Sequence, residues 1–208
     1  MVTAYTLSLG TPHAMARAAH EARDRQLLKL KLGQAGDAER LRAIRAAVPS
    51  ARLIIDANEG WQPQDLHELF AVCQETGIEL IEQPLPAGND EALREIAHPV
   101  TVCADESAHD RAGLNDLIGK YDAINIKLDK TGGLTEMLAT AEAAHQAGLG
   151  IMIGCMLATS LAMAPAMIAA AKADFVDLDG PLLLASDRDP GITFDGSIMQ
   201  PPPAALWG

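Results

Sequence analysis

The stretch "LLKLKLG", residues 27–33, sets two lysines into an otherwise aliphatic run. On a strand, residues i and i+2 share a face. Lys29 and Lys31 therefore point one way, and Leu28, Leu30 and Leu32 the other. The lysine face looks either at water or into a site. Similar short β-rich runs recur along the chain: "AYTLSL" (4–9), "RLIIDA" (52–57), "ELIEQ" (79–83), "VTVCAD" (100–105), "AINIKL" (123–128), "GIMIG" (150–154) and "FVDLD" (175–179). Counted from start to start, these eight runs are 21 to 27 residues apart. Helical periodicity fills the gaps. In "DAERLRAIRAAV" (37–48), Leu41, Ile44 and Val48 fall on one face. "PQDLHELFAVCQETG" (63–77) opens at a proline and closes at a glycine, as helix boundaries prefer.

Strands alternating with helices at this spacing imply parallel strands joined by crossover helices. Eight strands with seven intervening helices predict a closed (β/α)7β barrel of the TIM type over residues 1–185. An open doubly wound sheet is the competing arrangement. No GxGxxG or GxxxxGK[ST] follows any strand, so its nucleotide-binding version has no support. Residues 186–208 are dense in proline and glycine and lose periodicity, which predicts an extended tail.

Composition narrows the function. A net charge of −12 argues against nucleic acid and anionic membrane surfaces as partners. The opening "MVTAYTLSLG" is not a secretory signal, having neither a basic start nor a long apolar run. Residues 148–171 carry no charge and are long enough to span a bilayer, but glycine, alanine, Thr159, Ser160 and Pro165 dilute them. They divide better into a buried strand and an alanine-rich helix. Cys73, Cys103 and Cys155 are odd in number and far apart, which fits reduced thiols in a cytoplasmic protein.

In a parallel barrel the site lies at the carboxyl ends of the strands. Read in order, those ends give Lys29 and Lys31, Asp56 with Asn58, Glu82, Asp105 with Glu106, Lys127, Cys155, and Asp177 with Asp179. Solvated strand ends would account for any one of them. Glu82, Asp56 and Lys127, each set against apolar β-branched neighbours, point instead to convergence on one site. Asp56, Glu82 and Asp105 form an oxygen-only set on three adjacent strands. Such a set suits Mg2+, whereas zinc prefers histidine or cysteine. Lys31 and Lys127 flank it from strands two and six, roughly opposite each other in a closed barrel of eight. An ammonium cannot accept a proton, so one of them must be neutral to act as a base. A nearby cation and partial burial both push a lysine pKa downward.

"KLK", "IDANEGW", "IEQPLP", "CADES" and "NIKLDKTGG" resemble, in order and spacing, the barrel domain of the enolase superfamily. They most resemble the branch containing muconate lactonising enzymes and dipeptide epimerases, and the resemblance covers about residues 3–190. It implies Asp56, Glu82 and Asp105 as Mg2+ ligands, one ion per barrel. Lys31 and Lys127 would be the acid/base pair, Lys29 would hold the enolate oxygen, and Asn58 and Glu106 would orient ligands. The Asp-x-Asp of "DLDGP" resembles the feature by which dipeptide epimerases hold a substrate ammonium, here Asp177 and Asp179. Thr6 and Cys155 would touch substrate by the same resemblance.

The function so implied is Mg2+-dependent epimerisation of a small dipeptide of the L-Ala-D/L-Glu kind, in cell-wall peptide turnover. Proton removal and return at the α-carbon would pass through a metal-stabilised enediolate. A muconate cycloisomerase, an N-acylamino acid racemase, an o-succinylbenzoate synthase, or a truncated barrel that binds metal and catalyses poorly are the alternatives. Family members carry an α+β capping domain before barrel strand one. This chain begins almost at that strand, so the expectation is a barrel without its cap, whose tail lacks its usual packing partner. Barrels of this kind often form homo-oligomers.

Overall fold

The computed structural model describes residues 1–207. Eight parallel strands run in sequence order around one sheet: β1 (Tyr5–Leu7), β2 (Leu27–Lys31), β3 (Arg52–Asp56), β4 (Ile78–Glu82), β5 (Thr101–Ala104), β6 (Ala123–Ile126), β7 (Gly150–Gly154) and β8 (Phe175–Asp177). The helices are α1 (Pro12–Glu21), α2 (Asp37–Ala47), α3 (Leu66–Glu75), α4 (Leu114–Leu117), α5 (Leu128–Thr131), α6 (Leu134–Gln146), α7 (Ser160–Ala170) and α8 (Gly180–Leu183). The expected strand-helix alternation holds except between β4 and β5.

Closure between β8 and β1 is sparse. The Ala4 amide donates to the Val176 carbonyl at 2.8 Å. The Leu178 amide donates to Thr3 Oγ1 at 2.8 Å, and the Thr6 amide to Asp179 Oδ2 at 2.7 Å.

Alternation on the strands sorts two cores. Outward residues such as Leu28, Leu30, Leu53, Ile55, Ile81, Val102 and Ile153 pack beneath Met15, Leu41, Ile44, Phe70 and Met163 of the helices. Inward residues at the amino ends of the strands form a separate apolar layer: Ala4, Leu27, Ile54, Leu80, Cys103, Ala123 and Met152. Two residues further along the same faces, the lumen turns polar. The register puts Lys31 beside Asp56 and Asp56 beside Glu82. A barrel filled with side chains thus has an apolar floor and a charged mouth.

Several expectations need correction. The crossover from β4 to β5 carries only a 3-10 turn, Glu91–Glu95, in place of an α-helix. Strand β1 is shorter than the run 4–9, and β8 ends at Asp177, so Asp179 stands beyond the strand at the start of α8. The tail is not wholly extended. It contains a hairpin of β9 (Phe194–Asp195) and β10 (Ile198–Met199). That hairpin lies against the first residues of the chain, where Val2 bridges Ile198 and the Thr3 amide donates to the Ser197 carbonyl at 2.9 Å.

The uncharged stretch 148–171 is β7 plus the eleven-residue α7. Among the described residues no helix is long and apolar enough to cross a membrane.

Candidate active site

Asp56 ends β3, Glu82 ends β4, and Asp105 follows β5 by one residue. All three are buried. One carboxylate oxygen from each lies within 4.8 Å of the other two. Into this cluster β2 delivers Lys29, only 3% exposed, with Nζ 2.7 Å from Glu82 Oε2, 2.8 Å from Asp177 Oδ2 and 3.1 Å from Asp56 Oδ2. The question raised by "LLKLKLG" is thereby answered: its lysine face looks into the barrel.

Lys31 and Lys127 bracket the acids. Lys31 Nζ donates to Asp56 Oδ2 at 2.7 Å and Asn58 Oδ1 at 3.0 Å. Lys127 Nζ donates to Asp105 Oδ2 at 2.5 Å. Above them opens a cavity of about 460 Å³. Ten of the twelve residues expected from sequence line it: Thr6, Lys29, Lys31, Asn58, Asp105, Glu106, Lys127, Cys155, Asp177 and Asp179. Asp56 and Glu82 lie below its floor, 1% and 0% exposed.

The electrostatics follow from burial and neighbours. Burial, followed by the negative charge of Asp56, pushes Glu82 up to about 8. Asp105 is also buried, but Lys130 and Lys127 overcome that and hold its carboxyl well below the usual range. Asp179 is pushed up to about 6 by burial and by Asp177. Burial and the same neighbour push the Cys155 thiol up to about 12, so it is protonated at neutral pH and stands as a packing and contact group.

The lysines are held by the acids they face. Burial works to lower Lys127, yet Asp105 and Glu82 outweigh it and the shift is upward. Lys29 is raised in the same way, against its burial, by Asp177, Glu82 and Asp56. Neighbouring carboxylates dominate over desolvation at both lysines.

Asp177 and Asp179 are likewise not an equivalent pair. Asp177 is committed to Lys29, while Asp179 accepts the Thr6 amide.

Three polar residues escaped the reading of the sequence. Asn125 donates to Glu82 Oε1 at 2.7 Å. It lies two residues before Lys127 on β6, so strand alternation alone could have flagged it. Lys130 donates to Asp105 Oδ1 and to the Asp105 carbonyl, both at 2.6 Å, and to the Asn125 carbonyl at 2.8 Å. One turn of α5 separates it from Lys127. Gln83 accepts the Asp105 amide at 2.8 Å and the Ser107 amide at 3.0 Å, while its Nε2 donates to Leu85 O, Ser107 Oγ and Tyr121 OH. It saturates its hydrogen-bonding capacity and fixes the segment that presents Asp105. No local sequence signal marks it.

The family described as "Enolase C-terminal domain-like" matches residues 14–202 of this chain. The chain belongs to that family. Within it, the chain is 45% identical over 207 residues to the N-acetyl-D-glutamate racemase of a Pseudoalteromonas species, covering all of this chain and 66% of the relative. It is 46% identical over 196 residues to the L-Ala-D/L-Glu epimerase of Escherichia coli K12, covering 93% of this chain and 61% of the relative.

A solved structure of an enolase family member from Agrobacterium tumefaciens, with homology to dipeptide epimerases and with sodium and L-Ala-L-Glu bound, superposes with a TM-score of 0.98. It shares 56% identity, with 100% of this chain and 64% of that one covered. The chain thus spans about 61 to 66% of the length of these enolase-family proteins.

Proposed function

We propose that this barrel epimerises a dipeptide of the L-Ala-D/L-Glu kind at an α-carbon, with Mg2+ held by Asp56, Glu82 and Asp105. The observation that carries the reading is the placement of two amines, Lys31 and Lys127, at opposite ends of one buried acid triad. The donor set fits the ion. It consists of oxygen alone, the oxygens converge, and Glu82 Oε2 is buried without a hydrogen bond. Hard carboxylate ligands of this kind suit Mg2+ better than zinc. When bound, the ion would offset two of the three ligands' negative charges and stabilise negative charge growing on the substrate carboxylate.

The remaining work falls to residues of the chain. Lys29, fixed by three carboxylates, supplies a positive charge that cannot move away from the developing anion. One of Lys31 and Lys127 takes the α-proton and the other returns one to the opposite face. Asp179, with Asp177 beside it, holds the free ammonium of the dipeptide. The Agrobacterium structure with L-Ala-L-Glu bound supports that substrate class.

Racemisation of an N-acylated amino acid is the second reading. The Pseudoalteromonas racemase is about as similar to this chain as the Escherichia coli epimerase.

The proton-transfer scheme is tested with Lys127→Ala. Epimerisation should fall by about 100- to 10,000-fold, the usual worth of a positioned acid or base. Mg2+ binding, followed by calorimetry, should persist. Full epimerisation by that variant would refute the two-lysine scheme.

A further inference from the structure

We infer that Asn125 is a positioning residue that orients the Glu82 carboxylate toward the metal, and that position 154 is glycine in order to leave Asn125 its space. The inference rests on the metal site proposed above. Glu82 is fully buried, and among the described residues Asn125 Nδ2, at 2.7 Å from Oε1, is its side-chain hydrogen-bond donor. Lys29 Nζ stands 2.7 Å from Oε2, but Oε2 makes no aligned hydrogen bond. One oxygen is therefore pinned by Asn125, while the other rests against the Lys29 ammonium without a hydrogen bond of its own.

A carboxamide suits this role for electrostatic reasons. It donates a hydrogen bond without adding a fifth carboxylate to Asp56, Glu82, Asp105 and Asp177. Being neutral, it also brings no cation to compete with the ion. Its orientation is set by Glu82, because the opposite flip would turn Oδ1 toward a carboxylate oxygen.

Gly154 provides the second, independent observation. Its backbone has no left-handed φ, so conformation does not demand a glycine there. A Cβ at this position would lie 2.5 Å from Asn125 Oδ1 and 2.7 Å from Nδ2. Strand β7 thus yields a side chain so that β6 can carry Asn125 at the right depth. Asn125 is itself 0% exposed.

The test is Mg2+ titration by calorimetry on the parent chain and on Asn125→Ala, Asn125→Leu, Gly154→Ala and the double variant Asn125→Ala/Gly154→Ala, with circular dichroism checking the fold. Each single substitution should raise the Mg2+ dissociation constant about 10- to 100-fold, as loss of a ligand-orienting partner does. The double variant should bind no worse than Asn125→Ala, since the three atoms nearest the added methyl all belong to the Asn125 carboxamide that alanine removes. That non-additivity would not arise from two unrelated structural defects.

Folded Asn125→Ala and Asn125→Leu proteins binding Mg2+ within about twofold of the parent would overturn the inference while leaving the metal site standing. Failure of the parent to bind Mg2+ would overturn both. Should Gly154→Ala not fold, the two Asn125 variants decide the matter alone.

Discussion

At the scale of single residues, the site is a contest over carboxylates. Lys29, Lys31, Lys127 and Lys130 together engage Asp56, Glu82, Asp105 and Asp177, which keeps a buried cluster of like charges tolerable. Asp179 stands outside that exchange: its Oδ2 accepts the Thr6 amide, and among the described residues no lysine forms a salt bridge with it. It is therefore the cleaner probe of substrate charge, whereas Asp177→Asn would also loosen Lys29. Asn at position 179 keeps an acceptor for Thr6 and removes the charge. With a dipeptide, Asp179→Asn should raise KM about 10- to 100-fold and leave kcat nearly unchanged, matching the ~1.5–3 kcal/mol of a charge-assisted hydrogen bond. An unchanged KM would favour the N-acylamino acid reading, whose substrate brings no ammonium. Steady-state kinetics with both substrate classes checks this.

At the scale of elements, the weakest crossover relies on polar contacts. Between β4 and β5 a 3-10 turn replaces a helix, and His98 ties it down. Its Nδ1 lies 2.9 Å from Asp122 Oδ2 and its Nε2 3.0 Å from the Leu93 carbonyl. Two acceptors call for two donors, which only the protonated ring provides. The hydrogen bond to Asp122 leads in raising His98, against partial burial, while Asp122 is lowered by His98 and the Val102 amide despite its own burial. A raised histidine adds stability that is complete below its unfolded pKa, about 6.5, and is lost as pH rises through the folded value. The lowered Asp122 carboxyl adds stability present above about 3.9 and lost as pH falls through its folded value. Urea midpoints should therefore decline for the parent relative to His98→Gln as pH rises from about 6.5 to 8. Parallel curves for the two proteins would show that the pair contributes nothing.

At the scale of the whole molecule, the barrel closes over a seam of few bonds, and that seam also places Asp179. Leu178 follows β8 and donates its amide to the Thr3 hydroxyl, 175 positions away in sequence, with Thr3 only 1% exposed. Thr3→Val keeps the shape and strands a buried donor. The expected loss is ~1–3 kcal/mol of unfolding free energy, read from chemical denaturation. Unchanged stability would mean that the single backbone bond from Ala4 to Val176 and the strand ends suffice.

The sequence by itself determined the barrel, because strand alternation and crossover length are local properties that repeat eight times. Lys29, Lys31, Asp56, Glu82, Asp105 and Lys127 were legible for the same reason: period two places them on inward faces at the carboxyl ends of their strands. Tertiary structure alone decided how the charges pair. Asp177 goes to Lys29, Asp179 to the Thr6 amide, and Glu82 to Asn125, across separations of 148, 173 and 43 residues. Direction along a strand can be read from alternation. Which oxygen meets which nitrogen depends on shear, register and side-chain reach around a closed ring, and no short stretch of chain encodes those. The upward shift of Lys127 has this origin, since burial can be foreseen from pattern but a carboxylate at 2.5 Å cannot.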